Sequence, residues 1–274
     1  MVLQYLSLLL LTTTIRAIRL PRITPPTLPV TYSNPTGSTL TPIRPNVYLA
    51  ERPFFPTLPG LRKTDVACKM AVVKLQTGGL WVHSPVELTS DLCLALAELG
   101  PVTHIVTPNT EHQKFAPSWI AAFPDATSYC CPSLAAKKPD VWDYTIGADE
   151  TPPPEWPCEI VFISLHDVEA VPIINKSFFN EVVFYHNLSN TLFLTDLFWN
   201  YPSDAPRRTL VWKAAMDNVY RPLYNSLMQK ENFAKTIAKI CALDFTYISV
   251  CHGEPIEGSP ARMRQTLKEH LSTG

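Results

Sequence analysis

From residue 70 onward the chain is a succession of short apolar runs, several of which stop at a polar residue able to bind a proton or a metal. Residues 70–75 and 80–83 are two such runs, joined through Thr77-Gly78-Gly79, which is a strong hairpin signal. Thr89 or Ser90 then offers an N-cap, Leu92, Leu96 and Leu99 repeat at helical spacing, and Gly100-Pro101 stops the helix. Residues 104–106 predict a brief strand, 107–112 a polar turn and 116–123 a second helix. A strand leading through a polar loop to a helix presents its loop side chains at the carboxyl edge of a sheet.

The second half repeats this grammar. Residues 139–158 are rich in proline and acid and predict a surface excursion, after which 159–163 and 168–174 read as strands. A further hairpin, 180–185 with 191–195, turns across Asn187-Leu188-Ser189-Asn190 and ends at Asp196. Helical stripes fill 206–242, residues 245–250 return as a buried strand ending in Cys251-His252-Gly253, and Ser259 caps a last helix reaching Leu271. Antiparallel and crossover connections in one chain favour a mixed α/β sandwich over a simple doubly wound sheet.

The N-terminal part has a different character. Residues 1–50 contain no acidic residue, carry Arg16, Arg19 and Arg22, and begin with an apolar run at 2–11. That run is about half of the roughly 20 residues a bilayer span needs, so no integral membrane segment is expected. Residues 1–22 read instead as a targeting segment of organellar (plastid) or secretory type, or else as a plain leader of a cytoplasmic protein. Ten prolines between Pro21 and Pro59 predict an extended linker over 23–60, with the main domain over 61–274. With 23 Lys and Arg against 24 Asp and Glu there is no net field to recruit nucleic acid, and a small-molecule substrate is the expected partner. The seven cysteines show no metal-ribbon or redox spacing and are expected to be reduced thiols.

The polar strand ends resemble those of the metallo-β-lactamase-like hydrolases. Val106-Thr107-Pro108-Asn109-Thr110-Glu111-His112 stands where that family carries H-x-H-x-D-H, Thr195-Asp196 stands for its Gly-Asp strand end, and Cys251-His252-Gly253-Glu254-Pro255 is similar to its terminal G-H-G-x-P. Gly78-Gly79-Leu80-Trp81-Val82-His83-Ser84-Pro85, with residues 180–184 and 194–197, resembles more closely an uncharacterised branch of that superfamily, a domain of unknown function. The resemblance implies a four-layer αββα sandwich with two mixed β-sheets. It also implies a degenerate metal site. Thr107, Asn109 and Asn180 occupy the first-metal positions where the hydrolases have imidazoles, whereas His112, Asp196, His252 and Glu111 fall on the second-metal positions. Neutral amide and hydroxyl oxygens rarely hold zinc by themselves.

In function, the resemblance implies a metal-dependent, hydrolase-like protein with one zinc ion, or iron or manganese in its place, acting on an ester, thioester or amide. Glu111 would complete the coordination sphere or orient the attacking water, and Asn109 and Asn180 would donate hydrogens to an oxyanion. Two alternatives stay open: a metal-free binding or scaffold protein, and a mononuclear iron oxygenase. The aromatic group Phe198, Trp199 and Tyr201 is a candidate pocket wall. Oligomeric state is not legible.

Overall fold

The computed structural model describes residues 30–54, 62, 65–147, 152–153, 155–156, 158–166, 168, 180–228 and 230–271. Two sheets organise it. The first has seven strands in chain order: β1 (Thr41–Arg44), β2 (Val47–Pro53), β3 (Ala67–Lys74), β4 (Leu80–His83), β5 (Val102–Thr107), β6 (Thr127–Cys130) and β7 (Tyr144–Thr145). Its first four strands are antiparallel, and β4 to β7 are parallel. The second sheet contains β8 (Ile160–Ser164), β9 (Val182–His186), β10 (Thr191–Leu194), β11 (Tyr247–Val250) and β12 (Ile256–Glu257), in the order β12-β11-β10-β9-β8. Only the β10–β11 pair is parallel.

Side-chain alternation along the strands explains why the sheets face each other. Successive residues of a strand point to opposite faces. On β4, Trp81 joins a core shared with Phe162, Phe184 and Phe193 of the second sheet, while Leu80 and Val82 join Leu92, Leu96 and Trp119 on the other side. The latter come from α1 (Ser90–Leu99) and α2 (Ala116–Ala122). A short α3 (Pro132–Lys137) comes after β6. The outer face of the second sheet packs Leu192 and Ile248 against Phe233 and Ile240 of α6 (Lys230–Cys241) and Met263 and Leu267 of α7 (Pro260–Leu271). Helix, sheet, sheet, helix is the expected four-layer sandwich. Both faces of β3 and β4 are covered, which is why their sequences are nearly continuous apolar runs. Thr89 caps α1 by accepting from the Leu92 N–H at 3.3 Å, and Gly100 ends it.

Two expectations change. Strands β1 and β2 lie inside the stretch read as a linker, and β2 is an interior strand, so the sheet begins before residue 61. Proline is excluded only where an N–H must bond: Pro42 sits on the edge strand and Pro53 closes β2, leaving residues 47–52 free to pair. The stretch 139–158 is not wholly a surface excursion either, since Trp142, Ile146 and Trp156 are buried in the inter-sheet core. Residues 1–22, and the expected strand 168–174 apart from Val168, lie outside the described residues. No described helix is long and apolar enough to cross a membrane.

Candidate metal centre

Ends of strands from both sheets deliver one site. Because β3 runs antiparallel to β4, its first residues, Ala67 and Cys68, lie at the edge where β4 ends in His83 and Ser84. The parallel strand β5 ends at the same edge and releases the loop carrying Asn109, Glu111 and His112. In the second sheet β10 and β11 end side by side, bringing Asp196 and His252 to it. The Lys69 N–H donates to the Cys251 carbonyl at 2.9 Å and ties the two edges together. Lys69 itself is buried, 3.1 Å from Glu51, and its Nζ also donates to the Gly253 carbonyl at 2.6 Å.

Local hydrogen bonds fix the direction of each side chain. The Asn109 Oδ1 accepts from the backbone N–H of Glu111 (3.0 Å) and of His112 (2.9 Å), a turn that aims the imidazole inward. Its Nδ2 donates to Thr195 Oγ1 at 2.9 Å and to Asp196 Oδ2 at 2.6 Å. Glu181, wholly buried, accepts the backbone N–H groups of Thr195, Asp196 and Leu197 at 2.7, 2.8 and 2.8 Å and so sets the exit of β10. Ser84 adopts φ 57°, a left-handed conformation that costs a side-chain-bearing residue about 1–2 kcal/mol, and its Oγ stands 2.6 Å from His112 Nδ1.

The two imidazoles share one carboxylate. His112 Nε2 lies 3.3 Å from Asp196 Oδ2, and His252 Nε2 lies 3.5 Å from Asp196 Oδ1. His252 Nδ1 is 3.1 Å from the Ala67 carbonyl, which can only accept, so Nδ1 carries a proton and Nε2 is the nitrogen turned toward Asp196 and the site. Burial by itself disfavours both charges, but the Asp196–His112 attraction outweighs it: His112 is held well above the usual histidine range and Asp196 well below the usual carboxylate range. Burial, with the charge of Asp196, pushes Glu181 up to about 7.

Cys68 completes the group. Its Sγ is 4.0 Å from His112 Nδ1, and donor atoms of Cys68, His112 and His252 all lie within 4.8 Å of one another. Donors at zinc bond lengths in a tetrahedron stand about 3.3–3.8 Å apart, so a small contraction would close this set around one ion. Thiolate and imidazole are the ligand types that suit zinc. Thr107, Asn109 and Asn180, at the expected first-metal positions, are buried, and the two amides are engaged in protein hydrogen bonds.

Of the residues singled out by sequence, His112, Asp196 and His252 converge. Glu111 does not join the donor group; its side chain is exposed on the cavity wall. The oxyanion roles of Asn109 and Asn180 lose their basis. Both hydrogens of the Asn109 amide are taken by Thr195 and Asp196, while Asn180 Oδ1 accepts from the Ser133 N–H at 2.7 Å, its Nδ2 is 3.3 Å from His166 Nδ1, and it lines no part of the cavity. Cys68 escapes a sequence reading because no local spacing marks it; only the β3–β4 register brings it to this edge.

Above the donors opens a cavity of about 500 Å³, within the usual range for small-molecule sites. Phe54, Phe115, Tyr201 and Trp212 wall it, with Met216 and Tyr220. The last two bound a π-helical turn, Met216–Tyr220, between α4 (Arg207–Ala215) and α5 (Arg221–Leu227). Tyr201 is thus a pocket wall as expected, whereas Phe198 and Trp199 pack on His270, at 4.5 Å each.

Solved structures with the same fold include the Flv1 flavodiiron core from Synechocystis sp. PCC6803, with a TM-score of 0.58 at 12% identity over 85% of this chain and 60% of that one. The DIM-1 metallo-β-lactamase gives 0.56 at 14% identity over 85% and 97%, and a metallo-β-lactamase from Pontibacter korlensis 0.51 at 16% over 85% and 97%. The chain therefore spans about three fifths of the flavodiiron core and nearly the whole of the lactamases. No curated protein matches the sequence. Residues 54–227 match the model of the domain of unknown function DUF4336. The chain has the metallo-β-lactamase fold and belongs to the DUF4336 family.

Proposed function

We propose that the chain is a single-ion, metal-dependent hydrolase whose ion is held by Cys68, His112 and His252, with Asp196 as the fourth donor or as the carboxylate that orients both imidazoles. The observation that carries the reading is the convergence of a thiol and two imidazoles within 4.8 Å at the floor of a largely apolar cavity. An ion of zinc type held there would supply Lewis acidity and make a bound water nucleophilic near neutral pH. The protein's own part is positional. Ala67 and Ser84 fix the two imidazole rings, Asn109 and Glu181 fix Asp196, and the aromatic walls give the reacting centre a largely apolar surrounding. Glu111, on the cavity wall and without a side-chain hydrogen bond among the described residues, would take the proton from the attacking water. An ester, thioester or amide is the substrate class, zinc the favoured ion, and iron or manganese the alternatives.

The test is elemental analysis of the purified full chain beside a His252→Ala variant, and then hydrolysis assays on chromogenic esters, thioesters and amides with and without a chelator. One equivalent of metal in the unmodified chain, lost in the variant, is expected. A chain purified without stoichiometric metal, and unable to take it up, overturns the reading. That outcome would favour the second reading, a metal-free binding protein, which draws support from Asp196 being satisfied by Asn109, His112 and His252 without an ion.

A further inference from the structure

Arg52 is the one strongly basic side chain buried on the wall of the cavity. It lies near the end of β2, opposite Cys68 in the strand register, and is 4% exposed. Its Nη1 donates to the Glu51 carbonyl at 2.8 Å, and that is its only hydrogen bond among the described residues; Nε is buried with no partner. No carboxylate of the described residues comes within ion-pair distance of it. Glu87, Asp91 and Glu51 are near enough to support its charge against the effect of burial, which pulls the guanidinium below the ordinary arginine range, but none of their carboxylates forms an ion pair with it.

A buried cation without a contacting counter-ion is costly unless something else meets it. With Nη1 occupied and Nε sealed from the cavity, Nη2 is the guanidinium nitrogen left to donate to a ligand, and the charged oxygen of a carboxylate is the acceptor that such a donor binds most strongly. The rest of the cavity is aromatic and apolar: Phe54, Phe115, Tyr201, Trp212, Met216 and Tyr220 offer broad hydrophobic faces and few hydrogen-bond donors. A ligand that satisfies both must join an anionic head to an apolar body.

We infer that the cavity binds an amphiphilic carboxylate, an apolar molecule of drug-like size whose carboxylate is read by Arg52 while its body lies against the aromatic wall. Resting on the proposed function for the place of chemistry, the inference makes the substrate an ester, thioester or amide that also carries a free carboxylate. Arg52 is then a specificity residue and takes no part in bond cleavage.

The probes are pyrenebutyrate and its uncharged analogue pyrenebutanol, titrated into the full chain and monitored by fluorescence anisotropy, with and without EDTA. The acid is expected to bind about tenfold or more tightly than the alcohol, in line with a charge-assisted hydrogen bond in a largely apolar cavity. Arg52→Gln should bring the two probes to within about twofold of each other, and Arg52→Lys, which keeps the charge on a shorter and more strongly hydrated head, should restore only part of the difference. Phe115→Ala should weaken both probes alike. Equal binding of acid and alcohol by the unmodified chain overturns the inference and needs no variant. So does a preference that survives in a folded Arg52→Gln variant but vanishes with EDTA, because the carboxylate would then be meeting the metal. Metal content is read separately: Arg52→Gln should retain whatever metal the unmodified chain holds. Failure of the metal reading with the Arg52-dependent preference intact, and the reverse, are therefore distinct results.

Discussion

The Asn109 amide nitrogen stands 2.6 Å from Asp196 Oδ2. An amide thus holds one oxygen of the carboxylate that His112 and His252 share, at a position where the related hydrolases carry an imidazole. Replacing it by a carboxylate tests what that contact does. Asn109→Asp keeps the acceptor for the Glu111 and His112 N–H groups but sets a second negative charge against Asp196. Without metal the variant should lose about 2–4 kcal/mol of stability, by analogy with breaking a buried hydrogen-bonded pair. Added zinc should recover part of that loss. Thermal unfolding of the chelated and zinc-treated variant checks both halves, and a variant as stable as the unmodified chain would show the contact to be unimportant.

Donor membership separates Cys68 from Glu111. Cys68→Ala should lower bound metal well below one equivalent after dialysis, whereas Glu111→Ala should leave it near the value of the unmodified chain, because Glu111 lies outside the convergent group. Mass spectrometry of the metal content reads the difference directly. If Glu111→Ala strips the metal and Cys68→Ala does not, the ligand set expected from sequence is the better one.

Gly253 comes directly after His252 in a left-handed conformation, φ 88°, and a Cβ there would stand 2.0 Å from the Asn200 carbonyl oxygen. Backbone cannot yield as a flexible side chain can. Gly253→Ala should cost about 2 kcal/mol or more and shift His252 from its place beside Asp196. Chemical denaturation measures the first effect, and metal content the second.

His270 and His104 give stability a defined pH dependence. Burial lowers His270 from 6.5 to about 3, with Arg221 acting in the same sense, and lowers His104 to about 4. The unfolded chain therefore binds protons that the folded chain refuses. Stability is full above pH 6.5 and is lost as pH falls through 6.5 toward 4 for His104 and toward 3 for His270. Between pH 6.5 and 4.5 each contributes a loss of about 2–3 kcal/mol. His270→Phe, which keeps a ring against Phe198 and Trp199, should flatten the dependence. Urea unfolding at pH 7.5 and 4.5 is the measurement, and an unchanged slope in the variant would remove His270 from the account.

Much of the sandwich is legible in the sequence because local rules and burial agree there. The Thr77-Gly78-Gly79 turn could only join β3 to β4, Thr89 and Gly100 bracket α1, and the 187–190 turn pairs β9 with β10. That β2 hides in an apparent linker has a definite cause. Ten prolines argue against sheet when counted over a stretch, but a proline matters only at the individual N–H it removes, and residues 47–52 contain none.

The site divides along the same line. His112, Asp196 and His252 each come at or beyond the end of a strand and could be found through the resemblance of those strand ends to the metallo-β-lactamase-like motifs, since a strand end is a local feature. Cys68 lies at the start of a strand 44 residues before His112, and Arg52 lies near the end of another. Nothing near either in sequence marks it, because what brings them to the cavity is the antiparallel register of β2 and β3 and the packing of one sheet edge against the other. Sequence alone therefore determined the elements, their layers and the strand-end polar residues. Which donors meet, which amides are already committed and which buried charge is left to a ligand were decided by the tertiary structure, because these depend on distances between segments that no local pattern encodes.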